Sequence, residues 1–269
     1  VAHPLPLSPS PLLLGPGDPD PVGERSGETD SPFFLVCDHA GEAIPAALGD
    51  LGLPPEERRR HIALDLGALA VAEGLAQRLR APLVFQRYSR LVIDCNRKPE
   101  APDSIAPLAD GTPVPGNREL SPAERTARVE AILRPYHARI ARRLDARAAA
   151  GQATLLVSVH SFTPELRARP VERPWDLGLC WGRDRRFTDS VLAELEQERD
   201  LRLGRNQPYD VDLANDYSIP VHGEARGLPY VEFEIRQDRL APAGAPEAWA
   251  ERLAAVLTRA AGSFLPRER

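Results

Sequence analysis

Apolar positions along the chain follow two spacings. Short continuous runs of apolar, β-branched and aromatic residues occur at Phe33 to Cys37, Leu83 to Arg87, Thr154 to Val159, Leu177 to Trp181 and Tyr230 to Ile235, with Leu91 to Ile93 a shorter sixth. Their length and composition predict buried strands. Between them the spacing changes to three or four. Leu64, Ala68, Val71, Leu75 and Leu79 form one stripe, and Val129, Leu133, Tyr136, Ile140 and Leu144 form another. Each stripe predicts a helix with one apolar face. Ser121, Pro122 and Glu124 supply an N-cap, a first-turn proline and the acid of a capping box for the second helix, and Gly151 marks its end. Helical spacing returns from Thr188 to about Glu198 and from Pro246 to Phe264. Strands alternating with helices predict an α/β fold: a central, mostly parallel sheet with helices on both faces. Ligand chemistry in such folds gathers in the loops that leave the carboxyl ends of the strands.

Residues 1–32 break both patterns. They are rich in Pro, Gly, Ser and Asp and contain eight prolines. Such a segment buries too little apolar area to offset its ordering, so it reads as an extended or disordered arm before one α/β domain at 33–269. Two long Pro-rich connections, Lys98 to Leu120 and Leu203 to Leu228, have the character of binding loops or lids. Composition narrows the function classes. The chain has 269 residues, 34 basic and 39 acidic, for a net charge of −5. That balance does not suit a nucleic-acid partner. No apolar run approaches the ~18–20 residues that span a bilayer. Leu12 to Leu14 is too short for a leader's apolar segment, and a cytoplasmic location is the expectation. Cys37, Cys95 and Cys180 are odd in number and far apart, and they read as buried thiols in a reducing compartment.

Of six histidines, His3 lies in the arm, and His61 and His137 lie in or near helices, where packing or surface roles are usual. His39, His160 and His222 occupy loop contexts. The run ending at Cys37 leads at once into Asp38-His39-Ala40-Gly41-Glu42, and the run ending at Val159 leads into His160. If the two strands are neighbours, His39, Glu42 and His160 converge. Two histidines and a glutamate form a zinc-ligand set with a fourth position open to water. His39-x-x-Glu42 alone is a weak signal, because both residue types are common at turns, and His160 has the ordinary alternative of closing a strand. Their occurrence at two strand ends strengthens the metal reading. The last strand alternates Val231, Phe233 and Ile235 with Glu232, Glu234 and Arg236. An acidic stripe on a buried strand faces a polar cleft, or it marks a solvated edge. Asn96, Arg97 and Arg90 flank the run Leu91 to Cys95, and arginine's planar fork suits a carboxylate.

The stretches VCDHAGEAIP, HIALDLGA, YSRLVIDCNR, SVHSFTP and HGEARGLPYVEFEIRQD resemble, in order, the N-formylglutamate amidohydrolase family, and they span Val36 to Asp238. The resemblance implies a zinc-exopeptidase-like (phosphorylase/hydrolase-like) α/β/α fold with a mixed sheet and one catalytic zinc ion on His39, Glu42 and His160. It also implies Glu234, rather than Glu232, as the catalytic glutamate, and Asn96 with Arg97 as the grip on a substrate carboxylate. Arg90 would hold a second carboxylate or the developing oxyanion. Asp65, His222 and Glu224 fall in matching stretches without assigned roles. The loop Lys98 to Leu120 and the segment Arg167 to Trp175 lie outside the matching stretches and are expected to shape the acyl pocket.

The resulting expectation is a zinc-dependent amidohydrolase of a small N-acyl amino acid, with N-formyl-L-glutamate giving formate and L-glutamate. Two alternatives remain open. The same centre would serve a carboxypeptidase or a cell-wall amidase. Arg90 and Arg97 without metal would make a dicarboxylate-binding module.

Overall fold

In the computed structural model, residues 13–28 and 30–265 are described. The strands are β1 (Val22–Arg25), β2 (Phe33–Cys37), β3 (Leu83–Gln86), a small hairpin of β4 (Leu108–Ala109) and β5 (Thr112–Pro113), then β6 (Leu155–Phe162), β7 (Leu177–Cys180), β8 (Leu203–Arg205) and β9 (Tyr230–Arg236). The helices are α1 (Ala68–Leu79), α2 (Pro122–Arg128), α3 (Arg134–Ala149), α4 (Arg186–Leu195) and α5 (Ala245–Phe264). Seven strands form one sheet in the order β1-β3-β2-β6-β9-β7-β8. The centre, β3-β2-β6-β9, is parallel, whereas β1 runs antiparallel to β3 and β7 antiparallel to β9. The sheet is therefore mixed, as expected.

The alternation of side chains in β2 shows how the layers form. Phe33, Leu35 and Cys37 join a core with α1, α4 and α5, while Phe34 and Val36 face a second core that includes Tyr136, Ile140 and Leu144 of α3. Both faces of β2 and β6 are covered, so these strands read as unbroken apolar runs. Fully buried side chains such as Phe34, Val231 and Phe233 each contribute about 1.5–3 kcal/mol by leaving water.

Four departures have local causes. Val22–Arg25, inside the segment read as an arm, adds an edge strand by pairing with β3, and Val22 is buried; residues 1–12 of that segment lie outside the described residues. The first helix starts at Ala68 rather than Leu64, because Gly67 enters it at φ +82 with Leu240 packed where a side chain would stand. Leu91 to Ile93 is a buried turn, closed by the Val92 N–H donating to Ser89 O; a short apolar run does not distinguish a strand from any other buried segment. The long second helix is interrupted by a π-turn at Val129–Leu133. Its start is as read: Ser121 and Glu124 form the reciprocal capping box.

Candidate active site

The parallel pairing β2-β6-β9 places three strand ends side by side. His39 lies in the turn just beyond β2, and His160 lies in β6 directly opposite Glu234 of β9. Asp65 comes from the approach to α1; its N–H donates to His39 O at 3.0 Å, which draws its carboxylate under the turn. Asp65 Oδ2 is 3.2 Å from His39 Nδ1 and 2.9 Å from His160 Nδ1. Ligand atoms of the three residues lie within 4.8 Å of one another, and all three side chains are buried.

Both imidazoles are held from behind. His39 Nε2 meets Asp94 Oδ1 at 2.7 Å, so it carries a proton, and Asp94 is gripped by Arg90 through Nε (3.0 Å) and Nη2 (2.5 Å). His160 Nε2 lies 3.0 Å from Ser158 Oγ and 3.4 Å from Asp38 Oδ2. Asp38 Oδ1 accepts from Tyr136 Oη at 2.8 Å and from Ser218 Oγ at 2.7 Å. Each ring therefore turns Nδ1 toward Asp65. Burial opposes charge on His160, but Asp38 and Asp65 overrule it and hold its pKa well above the ordinary value. His39 is raised against burial and Arg90 by Asp94 and Asp65. Both rings present Nδ1 to Asp65 Oδ2, at the place a divalent cation would take. Donors around a cation at ~2.0–2.2 Å stand roughly 3–3.5 Å apart; the Asp65–His39 contact of 3.2 Å falls in that range and the Asp65–His160 contact of 2.9 Å just below it. Carboxylate-backed imidazoles beside a carboxylate are a donor set that fits such an ion.

This group borders a cavity of about 300 Å³, also lined by Glu232 and Glu234. Burial pushes Glu232 up to about 7, with the His160 charge opposing, and it raises Glu234 as well. Glu234 Oε2 is buried with no hydrogen-bond partner among the described residues. A carboxylate in that condition is suited to accept a proton and give it back.

The structure does not bring Glu42 to this group. Ala43 bridges to Tyr88, its N–H donating to Arg87 O at 3.2 Å, and Gly41 packs directly on the Arg87 backbone. The chain after His39 is thereby extended along the continuation of β3, and Glu42 is exposed, away from the cavity. Asp65 stands in the third place among the clustered donors. Its location beneath the His39 turn follows from the turn at Gly67, which spacing along the chain does not reveal.

Arg90, Asn96 and Arg97 line the cavity, but both guanidinium groups are engaged. Arg90 bonds Asp94 and reaches Asp65 at 3.4 Å. Arg97 bonds Asp103 through Nε at 2.9 Å and Asp216 through Nη1. Asn96 Oδ1 accepts from Ser218 N at 3.0 Å. His61 lines the cavity too, with Nε2 3.3 Å from Asp110. His222 lies elsewhere, in a buried pair with His137 (Nε2 to Nδ1, 3.1 Å).

Together these features define a class: an α/β fold whose cavity, at the ends of parallel strands, joins a candidate metal-ligand group to buried acids suited to proton transfer. The particular family follows from comparison. Residues 31–241 match the family model of N-formylglutamate amidohydrolase, and the chain belongs to that family. It is accordingly a hydrolase acting on an amide. A crystal structure of a gene product from Agrobacterium tumefaciens is similar at 36% identity and TM-score 0.86, covering 93% of this chain and 98% of that one. The crystal structure of N-formylglutamate amidohydrolase from Ralstonia eutropha JMP134 shares the fold at 21% identity and TM-score 0.66, covering 91% of this chain and 98% of that one. No curated protein sequence matches significantly.

Proposed function

We propose that the chain is a metal-dependent amidohydrolase of a small N-acyl amino acid, with N-formyl-L-glutamate as substrate and formate and L-glutamate as products. The observation that carries this reading is the buried His39, Asp65 and His160 group sharing one cavity with Glu234, whose Oε2 has no hydrogen-bond partner among the described residues. Zinc is the ion that two imidazoles and one carboxylate with an open position suit best. When bound, it would polarise the formyl carbonyl and acidify a water molecule.

The chain's own groups do the rest. Glu234 takes a proton from the attacking water and returns it to the departing nitrogen as the amide C–N bond breaks. Burial favours this role, since a desolvated carboxylate binds a proton readily. Asp94 and Asp38 keep both imidazoles turned toward Asp65. Asn96 and Arg97, at the cavity wall, hold the substrate α-carboxylate; Arg97 Nη2 has no hydrogen-bond partner among the described residues. Arg90 serves as a clamp on Asp94 and Asp65 rather than as a free anion site. A cavity of about 300 Å³ lies at the small end for ligand sites and favours a formyl amino acid over a peptide or a cell-wall strand.

The test is metal content and deformylation in one preparation. One equivalent of zinc and formate release from N-formyl-L-glutamate are expected in the wild type, and both are expected to be lost in His160→Ala and Asp65→Ala. Full turnover in a chelated, metal-free protein would overturn the reading.

A further inference from the structure

A substrate with two carboxylates needs two cations, and the cavity's own arginines supply only one. Arg90 is clamped by Asp94 and Asp65; Arg97 is paired with Asp103 and Asp216 but keeps Nη2 without a hydrogen-bond partner among the described residues. A third guanidinium packs behind the wall of the same cavity. Residues 167–172 are exposed throughout, yet the next residue, Arg173, is only 8% exposed. Its Nη1 donates to Thr163 O at 3.1 Å. Its guanidinium carbon lies 4.9 Å from the Tyr209 ring centre and 5.8 Å from that of Phe162. Thr163, Phe162 and Tyr209 all line the cavity. No carboxylate among the described residues pairs with Arg173, although most arginines around the site have one.

A buried cation whose partners are one carbonyl, the Tyr209 hydroxyl and two ring faces, with no carboxylate, is costly, and an anion beside it lowers that cost. The position is fixed from the catalytic side: Arg236, two residues beyond Glu234 on β9, donates to Arg173 O at 3.2 Å. Tyr209, whose ring stacks on the guanidinium, is itself 41% exposed, on the long connection between β8 and β9.

We infer that Arg173 receives the side-chain carboxylate of the substrate, at the end of the cavity formed by Phe162, Thr163 and Tyr209, and so selects acidic N-acyl amino acids over neutral ones. The inference deepens the proposed function and rests on it for the identity of the substrate. Through Arg173 the segment 167–175 thereby carries specificity rather than catalysis.

The test compares N-formyl-L-glutamate with its neutral isostere N-formyl-L-glutamine. Wild type is expected to favour the acid in kcat/KM. Arg173→Gln is expected to raise KM for the acid on the order of 10- to 100-fold, to leave kcat and zinc content unchanged, and to leave the neutral substrate within about threefold. Arg173→Lys keeps the charge without the fork and is expected to recover part of the loss; it also serves if Arg173→Gln does not fold. Equal losses on both substrates, or no loss on the acid, would overturn the inference. Should the wild type hydrolyse neither substrate, the proposed function fails separately. Calorimetric binding of glutarate to wild type and Arg173→Lys then decides: weaker binding in the variant supports an anion site, and equal binding or none in either protein refutes it.

Discussion

At the scale of single residues, the site depends on which atoms have partners. Glu234 has a buried oxygen with none, while Glu42 sits in solvent. Glu234→Gln keeps the shape and removes the proton acceptor, so kcat should fall about 10²–10⁴-fold with metal content intact. Glu42→Gln should change activity less than twofold. Steady-state kinetics with zinc analysis on both variants checks the pair, and a large loss in Glu42→Gln would restore it as a ligand. His39 and His160 were legible in the sequence because one leaves a buried strand and the other lies in one, where parallel pairing brings them together, whereas Glu234 was set apart from Glu232 by the family resemblance alone. Asp65 was not, since its place depends on a turn that joins segments 26 residues apart. The arginines were legible as residues but not as pairs: that Arg90 belongs to Asp94 is a matter of tertiary geometry.

At the scale of elements, the extended stretch after His39 holds the turn open toward Asp65. A Cβ on Gly41 would stand 1.9 Å from Arg87 O, with nothing but backbone to give way. Gly41→Ala should therefore break the Ala43 bridge and cost roughly 2–4 kcal/mol, read as a fall in urea midpoint, with weaker zinc binding as His39 shifts. Unchanged stability would show that the bridge does not position the turn. The strands that the pattern predicts are those buried on both faces. β1 and β8 escaped it because they are short edge strands, carrying Gly and Arg, whose ordering comes from pairing rather than from apolar content. The capped helix was legible from Ser121 because capping is a local interaction.

At the scale of the whole molecule, charge buried in the second core sets a pH limit. Burial lowers His137 to about 4 and His222 to about 3, with His137 adding to the effect on His222. His137 Nε2 donates to Cys95 O at 2.7 Å, so His222 donates to His137 and both rings are neutral when folded. The unfolded chain protonates them near 6.5. Below that pH the unfolded state binds more protons, so stability is full above about 6.5 and falls as pH drops toward 4. The expected slope from the pair is on the order of 1–3 kcal/mol per pH unit. Urea melts from pH 7 to pH 4 should show it, and His222→Gln should flatten the acid limb; an equally steep limb in that variant would contradict the assignment.

The most direct measurement for the whole molecule is an anomalous difference map at the zinc edge from crystals of the protein as purified. One peak is expected, about 2.0–2.2 Å from a ring nitrogen of His39, a ring nitrogen of His160 and a carboxylate oxygen of Asp65. A fully occupied peak on other residues, or none at a centre that still hydrolyses its amide, would contradict the site described above.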